Sequence, residues 1–500
     1  TTQGLHDFCV DFIQTIQQIE VYPGSSAVNF GTNAIGGAVN IILAGDYKDS
    51  FSYASDNNAN YEFYGNKVFV YDNSSLNIKI GSVQNETISA RGNSSDEKDG
   101  LKNYSTNINY EKFLSENIRF YNTVYLRQTK AEYDNSNTNQ TGYEGNNKMA
   151  SLQFGLENQI DSQEDNYKFY YNVYDRKYDE RGTIDTYKSE VLGLKYDFSR
   201  LLNRKISYGA GTEYKYDWGY FDNKGSYQAS TKGHSDNFAI YSNLGWNIFE
   251  NSNFSLFGRS DKHKQTGINN TYKLNFEQDL ENFNLGISYM NGLRNPTLYE
   301  MFGTDNYGYS GNRNLKPEKS NTYEIYSNIT LNKNLYLNLR AFRANIQNNI
   351  EYISNKYQND NDNIDLNQSG FNNQINFKFE NTSINLFSSF LSSKKENGAD
   401  QLRRPEKNYG LNFSQKIDSS FLGNLNFNLS YNHYGKHFDT HSSNFSTIEI
   451  DSTDIIDFNI TKKLNDSDFY IKVTNALNET YQRPHGYNQE KRILKFGFKY

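Results

Sequence analysis

The sequence predicts an all-β fold, a transmembrane antiparallel barrel of about 22 strands over residues 45–500, preceded by a short glycine-rich unit over residues 1–44. Three observations carry that expectation. First, apolar and polar residues alternate with period two along most of the chain. Second, only 36% of the residues are hydrophobic, yet 42 Tyr and 34 Phe are present, which a disordered chain lacks. A barrel reconciles these values, because only every second residue faces lipid and aromatic girdles mark both interfaces. Third, no stretch approaches the ~18 apolar residues of a membrane helix. The five prolines leave nearly all of the strand-like sequence uninterrupted, as a fully paired sheet requires.

The first 44 residues end in Ile19-Glu20-Val21-Tyr22-Pro23-Gly24-Ser25-Ser26 and Gly31-Thr32-Asn33-Ala34-Ile35-Gly36-Gly37-Ala38-Val39-Asn40-Ile41-Ile42. The glycines permit tight turns and close backbone approach. Val39, Ile41 and Ile42 are expected to form a buried strand. A phosphate cradle is excluded, since no Lys-Ser/Thr follows the glycines.

Beyond residue 44 each segment has two walls. Ile118, Phe120, Val124 and Leu126 alternate with Arg119, Tyr121, Thr123, Tyr125 and Arg127. Leu335, Leu337, Leu339 and Ala341 alternate with Tyr336, Asn338 and Arg340. A soluble sandwich or propeller shows the same alternation. Mid-strand Arg and Lys weigh against it: they are tolerated in a wet lumen but cost roughly 2–4 kcal/mol facing lipid at the midplane. Connections are uneven too. Short turns such as Asn332-Lys333-Asn334 and Asn465-Asp466-Ser467 contrast with long polar stretches near 130–147, 218–236, 303–320 and 354–368. The last segment alternates Leu494, Phe496, Phe498 and Tyr500 with Lys495, Gly497 and Lys499, a closing strand whose aromatics are expected to face lipid.

Four blocks give this pattern a family resemblance. Ile19, Glu20, Val21, Gly24, Gly31, Ile35, Gly36, Gly37 and Asn40 resemble the plug motif of TonB-dependent outer-membrane receptors. Arg294, Pro296 and Glu300 lie in a segment similar to F-R-A-P-x-L-x-E-L-Y-G. Asn314, Leu315, Pro317, Glu318, Tyr323 and Glu324 lie in one similar to N-P-N-L-K-P-E-x-S-x-x-Y-E. Val473 to Tyr481 resembles the V-x-N-L-F-D-x-x-Y before the last hairpin, and a terminal aromatic such as Tyr500 resembles the outer-membrane assembly signal. The blocks look closest to the cobalamin-receptor branch. One departure stands out: Pro23 replaces the Arg that in the family faces acidic groups of the wall, and Ser25 stands where Pro is usual. That puts the locking ion pair in question.

The resemblance implies residence in the outer membrane of a Gram-negative bacterium, surrounded by its lipid, as a monomeric barrel. It also implies a non-enzymatic receptor that takes up a scarce nutrient chelate with energy from a TonB–ExbB–ExbD complex. A cobalamin-like corrinoid leads as ligand, with ferric siderophores as the alternative and a passive porin or a scaffolding barrel as further rivals. The N-terminal part of the plug and the TonB box are expected either to precede residue 1 or to be absent, and no secretory leader is visible at Thr1. Structural calcium is the one cofactor expectation, held by Asp134, Tyr178, Asp179 and Asp185 in extracellular loops, because hard oxygen ligands on adjacent loops suit it. His433, His437 and His441 are the only loose histidine cluster, and the single Cys9 has no partner for a disulfide or metal cluster. A net charge of −7 argues against nucleic acid as a partner.

Overall fold

The computed structural model describes residues 16–25, 31–43, 48–86, 88–91, 98–134, 142–224, 229–305, 308–359, 365–419 and 423–500; Cys9 lies outside them. Twenty-two strands close into one barrel, from Ser50–Asp56 to Ile493–Lys499, each antiparallel to its neighbours. The last strand pairs with the first from Lys495↔Asp56 to Lys499↔Ser52. Backbone bonds between Phe51 and Tyr500, 2.8 and 2.9 Å, complete the seam. Inside the barrel, strands Ile16–Pro23 and Gly37–Leu43 form a separate antiparallel hairpin.

Alternation sorts the two faces. Outward lie Leu274, Ile287, Ile325, Phe371, Phe469 and Phe496, all well exposed. Inward lie Asp261, Thr271, Ser288 and Thr322, all buried. The closing strand keeps the expected register: Phe498 packs outward on Phe51 and Phe469, while Lys495 reaches Glu62 on the inner side.

Asparagine, abundant in the sequence, has a specific use inside. Asn412 donates its side-chain amide to Asn385 (3.4 Å), Asn385 to Asn376 (2.7 Å), Asn376 to Asn338 (3.2 Å) and Asn338 to Asn328 (2.6 Å). Asn328 donates to Asn284 (3.2 Å), and Asn284 ends the run on the Glu277 carboxylate (3.1 Å). Each amide is both donor and acceptor, so the ladder satisfies six strands of inner wall without a charge.

The ends differ. Connections such as 161–162, 204–205, 281–282 and 333–334 are two-residue turns and share their end with Tyr500, which makes it periplasmic. The opposite end carries loops 295–317, 348–365, 435–452 and 475–492 and is extracellular. Two expectations are corrected here. The polar stretch near 218–236 is mostly strand, because Ile206–Asn223 and Ala229–Phe249 pair from Ile206↔Trp246 to Asn223↔Ala229. At 21 residues, a tilted strand rises roughly 50 Å, well beyond the ~25 Å apolar band, so its polar upper half stands in water. Second, the strand holding Val39 is not buried: Val39, Ile19 and Val21 are 48%, 56% and 66% exposed, because the hairpin turns that apolar face away from the wall it touches.

The register makes a direct prediction. Ile325→Lys, which places a cation on the lipid face two residues inside the girdle, should cost about 1–3 kcal/mol, between the interface and midplane values, and lower the yield of assembled barrel. Asn328→Lys, three residues on and facing the lumen, should assemble normally. Heat-modifiable electrophoretic mobility of outer-membrane fractions reads both, and equal behaviour of the two variants would overturn the register.

Candidate functional site

Three distant pieces of sequence meet on the inner wall. Ser25 Oγ lies 2.6 Å from Ser320 Oγ and 3.1 Å from Thr322 Oγ1. Ser25 and Ser320 each donate to the Ile35 carbonyl at 3.1 Å, and Asn33 N–H donates to the Leu293 carbonyl at 2.9 Å. Gly292 is required at this junction, since a Cβ there would fall 2.5 Å from Ser320 Oγ and 2.8 Å from Ser25 Oγ. The hairpin thus docks through neutral hydroxyls and carbonyls.

Its own motif residues pair with each other. Glu20 sits opposite Asn40 and accepts from its side-chain amide at 2.9 Å and from Tyr22 Oη at 2.8 Å. Gly37, at φ +142°, lies where a Cβ would come 2.6 Å from the Tyr22 carbonyl. Gly24 lies over Met290 and Arg340, and Gly31 over Arg259, whereas Gly36 faces open space.

Glu324 lines the same luminal cavity as Pro23, the position where the resemblance expects an Arg. Here its partner comes from the adjacent strand: Arg340 Nε donates to Glu324 Oε2 at 2.6 Å. Both side chains are largely buried, beside a luminal cavity of ≈ 910 Å³ lined by Pro23, Lys273 and ladder residues Asn328, Asn338 and Asn385. Pro23 therefore leaves no orphan carboxylate, because Arg340 neutralises it within the wall.

At the extracellular rim, the barrel blocks build a second junction. Arg294 donates from Nε (2.5 Å) and Nη2 (2.9 Å) to the Glu318 carboxylate and from Nη1 (3.2 Å) to Glu300. Glu300 also completes a capping box with Thr297 at the start of helix Leu298–Phe302, accepting from Thr297 N–H at 2.7 Å. Glu318 further accepts from Ile350 N–H at 2.8 Å, which ties down hairpin Ile350–Ile353/Lys356–Asn359. Leu315 is buried, Asn314 N–H donates to Asn312 Oδ1, and the Pro317 carbonyl accepts from Asn348. Tyr323 faces outward instead.

The helix seats Leu298 and Met301 on Phe221 and carries an aromatic row across the mouth. Ring centroids run from Tyr133 to Tyr178 (5.9 Å), Tyr187 (5.9 Å), Phe221 (6.2 Å), Tyr299 (5.5 Å), Tyr309 (5.2 Å) and Tyr352 (5.8 Å). Burial pushes the Tyr299 and Tyr309 phenols well above their usual range, so both stay neutral donors. Below the row, Thr32 and Asn33 line a cavity of ≈ 220 Å³ with Lys215, Asp217, His263 and Pro296. The aromatic row, the amide ladder and the Ser25 junction escaped sequence reasoning. Of the three, only the Ser320–Thr322 spacing left a local signal.

The four residues expected to hold calcium are engaged elsewhere. Asp134 accepts from Ser89 Oγ (3.1 Å) and Arg91 N–H (3.2 Å), Asp179 from Gly182 N–H (2.6 Å) and Asp185 from Lys224 N–H (2.7 Å). Tyr178 belongs to the aromatic row. Among the described residues no three His, Cys, Asp or Glu side chains gather as a metal group. The histidines also separate: His433 pairs with Asp454 (2.7 Å), His437 is buried, and His441 packs on His485.

Asp439 clamps three extracellular loops, accepting from Arg403 Nε (2.7 Å), His485 N–H (2.8 Å) and Thr440 N–H (2.7 Å). Burial alone would raise its pKa, but Arg403 and the two N–H groups outweigh it and hold the carboxyl below 3.8. Beside it a cavity of ≈ 360 Å³ is lined by Arg403, His437 and Arg483, whose guanidinium stacks 4.1 Å over Tyr434.

Comparison with known proteins places this architecture. The family model described as "TonB dependent receptor-like, beta-barrel" matches residues 44–478. A curated relative, the vitamin B12 transporter BtuB of Photobacterium profundum, is 25% identical over 350 residues, 65% of this chain and 53% of that protein. The match therefore spans about half the length of that relative. Among solved structures, the siderophore receptor PirA from Acinetobacter baumannii aligns with a TM-score of 0.82 at 15% identity, covering 97% of this chain and 85% of that one. A mutant of the ferric enterobactin receptor PfeA from Pseudomonas aeruginosa gives 0.83 at 13%, covering 99% and 86%. At such identities the likeness is one of fold.

The two charged contacts respond differently to perturbation. Arg340→Met should cost about 2–3 kcal/mol by orphaning Glu324, somewhat less than in a dry core because the cavity admits water. Adding Glu324→Gln should recover at least ~1 kcal/mol of that, a coupling read by denaturant titration of the two single variants and the double. For Asp439 the folded pKa is lowered, so its stabilisation is present above 3.8 and is lost as pH falls through the folded value. Amide protection in residues 437–450 and 475–492, corrected for intrinsic exchange, should fall as the pH drops below 3.8, and Asp439→Asn should remove that dependence.

Proposed function

This chain belongs to the TonB-dependent receptor family, whose barrels reside in the Gram-negative outer membrane, and on that premise we propose that it captures a metal chelate at the extracellular rim and admits it by displacement of the plug. The carrying observation is the junction at Ser25, Ile35, Gly292 and Ser320, where the luminal hairpin is fastened directly beneath the rim. A passive pore has no need of a fastened luminal hairpin.

Capture falls to the neutral tyrosines and the cavity beneath them. Flat aromatic faces bury apolar ligand surface, and phenol hydroxyls donate to ligand oxygens. Arg294 holds the rim rigid through both carboxylates, so little ordering is required on binding. Release requires the hairpin to leave the wall. Its hydroxyl contacts are each worth about 0.5–1.5 kcal/mol, so a pulling force supplied by a TonB–ExbB–ExbD complex would separate them one at a time. Beyond the junction, the amide-lined cavity offers a ligand many weak hydrogen bonds and few charges.

The leading ligand is a cobalamin-like corrinoid, supported by the 25% identity to a vitamin B12 transporter. A ferric siderophore is the second reading, favoured by the cavity where Arg403, Arg483 and His437 face a single acid already held by Arg403. Equilibrium binding to the receptor in outer-membrane vesicles, with cyanocobalamin and a panel of ferric siderophores, decides between them. Saturable corrinoid binding that weakens at least about tenfold in Tyr299→Ala supports the first reading. Binding of a ferric siderophore alone replaces corrinoid by siderophore, and energy-independent leakage of both would overturn the receptor assignment.

A further inference from the structure

The lipid-facing wall carries a feature that uptake does not use. On strand Phe283–Arg294 the outward residues are apolar up to Tyr289 and polar at Asn291; on strand Glu318–Asn332, Asn321 is followed by Tyr323 and Ile325. The registers Tyr289↔Tyr323 and Tyr323↔Arg343 put Arg343 in the same row, at the extracellular edge of the apolar band. Tyr289 and Tyr323 stack there, 4.8 Å between centroids, and Tyr289 Oη donates to Asn321 at 3.0 Å. Arg343 therefore stands in an aromatic girdle position with its guanidinium on the outside of the barrel. Neither it nor Lys319, four residues beyond Tyr323 on the same outward face, has an ion-pair or hydrogen-bond partner among the described residues.

Directly below Arg343 the next outward residue is Ala341, flanked by Ile325 and Phe371. Its small side chain leaves a groove of ≈ 600 Å³, walled by Phe276, Ile287 and Ile325 and closed at the top by Tyr323 and Arg343. An apolar slot running down the membrane wall from two unpaired cations matches an amphiphile with an anionic head and a hydrocarbon tail. A second copy of the chain is disfavoured, because a symmetric contact through this face would bring Arg343 against Arg343.

We propose that this groove binds a phosphate-bearing acylated lipid of the outer leaflet. One acyl chain lies over Ala341, and the phosphate oxygens accept from Arg343, with Lys319 engaging the headgroup farther out. Guanidinium is suited to this, since its fork offers paired charge-assisted donors to phosphate. The bound lipid would also cover Arg343.

The test uses the receptor in phosphatidylethanolamine nanodiscs with and without added lipopolysaccharide, followed by detergent exchange and native mass spectrometry. Wild-type protein should retain lipopolysaccharide. Arg343→Gln should reduce retention about tenfold, Arg343→Lys less, and Ala341→Leu, which fills the slot but keeps both cations, should also reduce it. Heat-modifiable mobility confirms that each variant is assembled. Equal retention in wild type and Arg343→Gln overturns the proposal. So does loss in Arg343→Gln with none in Ala341→Leu, or displacement of the lipid by inorganic phosphate alone, since either would leave an anion site without a groove.

Discussion

Lipid offers no hydrogen bonds, so every backbone N–H and C=O at membrane depth must be paired within the protein. The seam between Ser50–Asp56 and Ile493–Lys499 is where this chain meets that demand. Each unpaired group there would cost several kcal/mol, and an open edge would multiply that cost along its length. Closure fixes much else. It forces an even, antiparallel strand count, leaves all irregular backbone to the two ends and makes the inner wall a surface facing water. The alternation of the side chains, the uneven loops and the internal site are consequences of the seam.

The legible part of this design is local and periodic. Leu335, Leu337 and Leu339 announce an outer wall because a strand turns successive side chains to opposite faces, and repeating that over 456 residues bounds the strand count. Arg294, Glu300 and Glu318 could be picked out by their motifs, and the structure joins them in one ion-pair cluster. Hidden were features assembled across strands. Nothing local to Asn338 says that it will stand between Asn328 and Asn376, residues that belong to two different neighbours. Tyr299 and Phe221 meet only because a loop folds back over the mouth. The 218–236 stretch read as a loop for a different reason: a strand that continues into water has no apolar face, so its period vanishes while its ladder persists.

Charge is paired both at the rim and in the lumen below it. At the rim, Arg294 serves two carboxylates, and Arg403 with Asp439 clamps three loops. Near the hairpin the charges are matched within the wall, Arg340 to Glu324, and much of the remaining surface is amide. A cavity wall built largely of amides, with its charges paired, has a physical merit in a conduit. Fixed charges would bind a passing ion or chelate strongly or repel it, whereas amides and hydroxyls exchange hydrogen bonds with water and solute at similar energies.

That distribution also orders the strengths of the two junctions. Charge-assisted bonds in a partly buried, bidentate geometry are roughly twice as strong as neutral ones, so the Arg294 cluster outlasts the Ser25 contacts under load. The two lie close along the same strand, at Gly292 and Arg294, yet one fastens the wall to itself and the other fastens the hairpin to the wall. Pro23 stands where the family's Arg would have joined the hairpin to the charged set. Tension on the hairpin therefore breaks the hydroxyl contacts first and leaves the rim intact. On the proposed reading, capture and release are separated by bond type, although the groups concerned stand two residues apart.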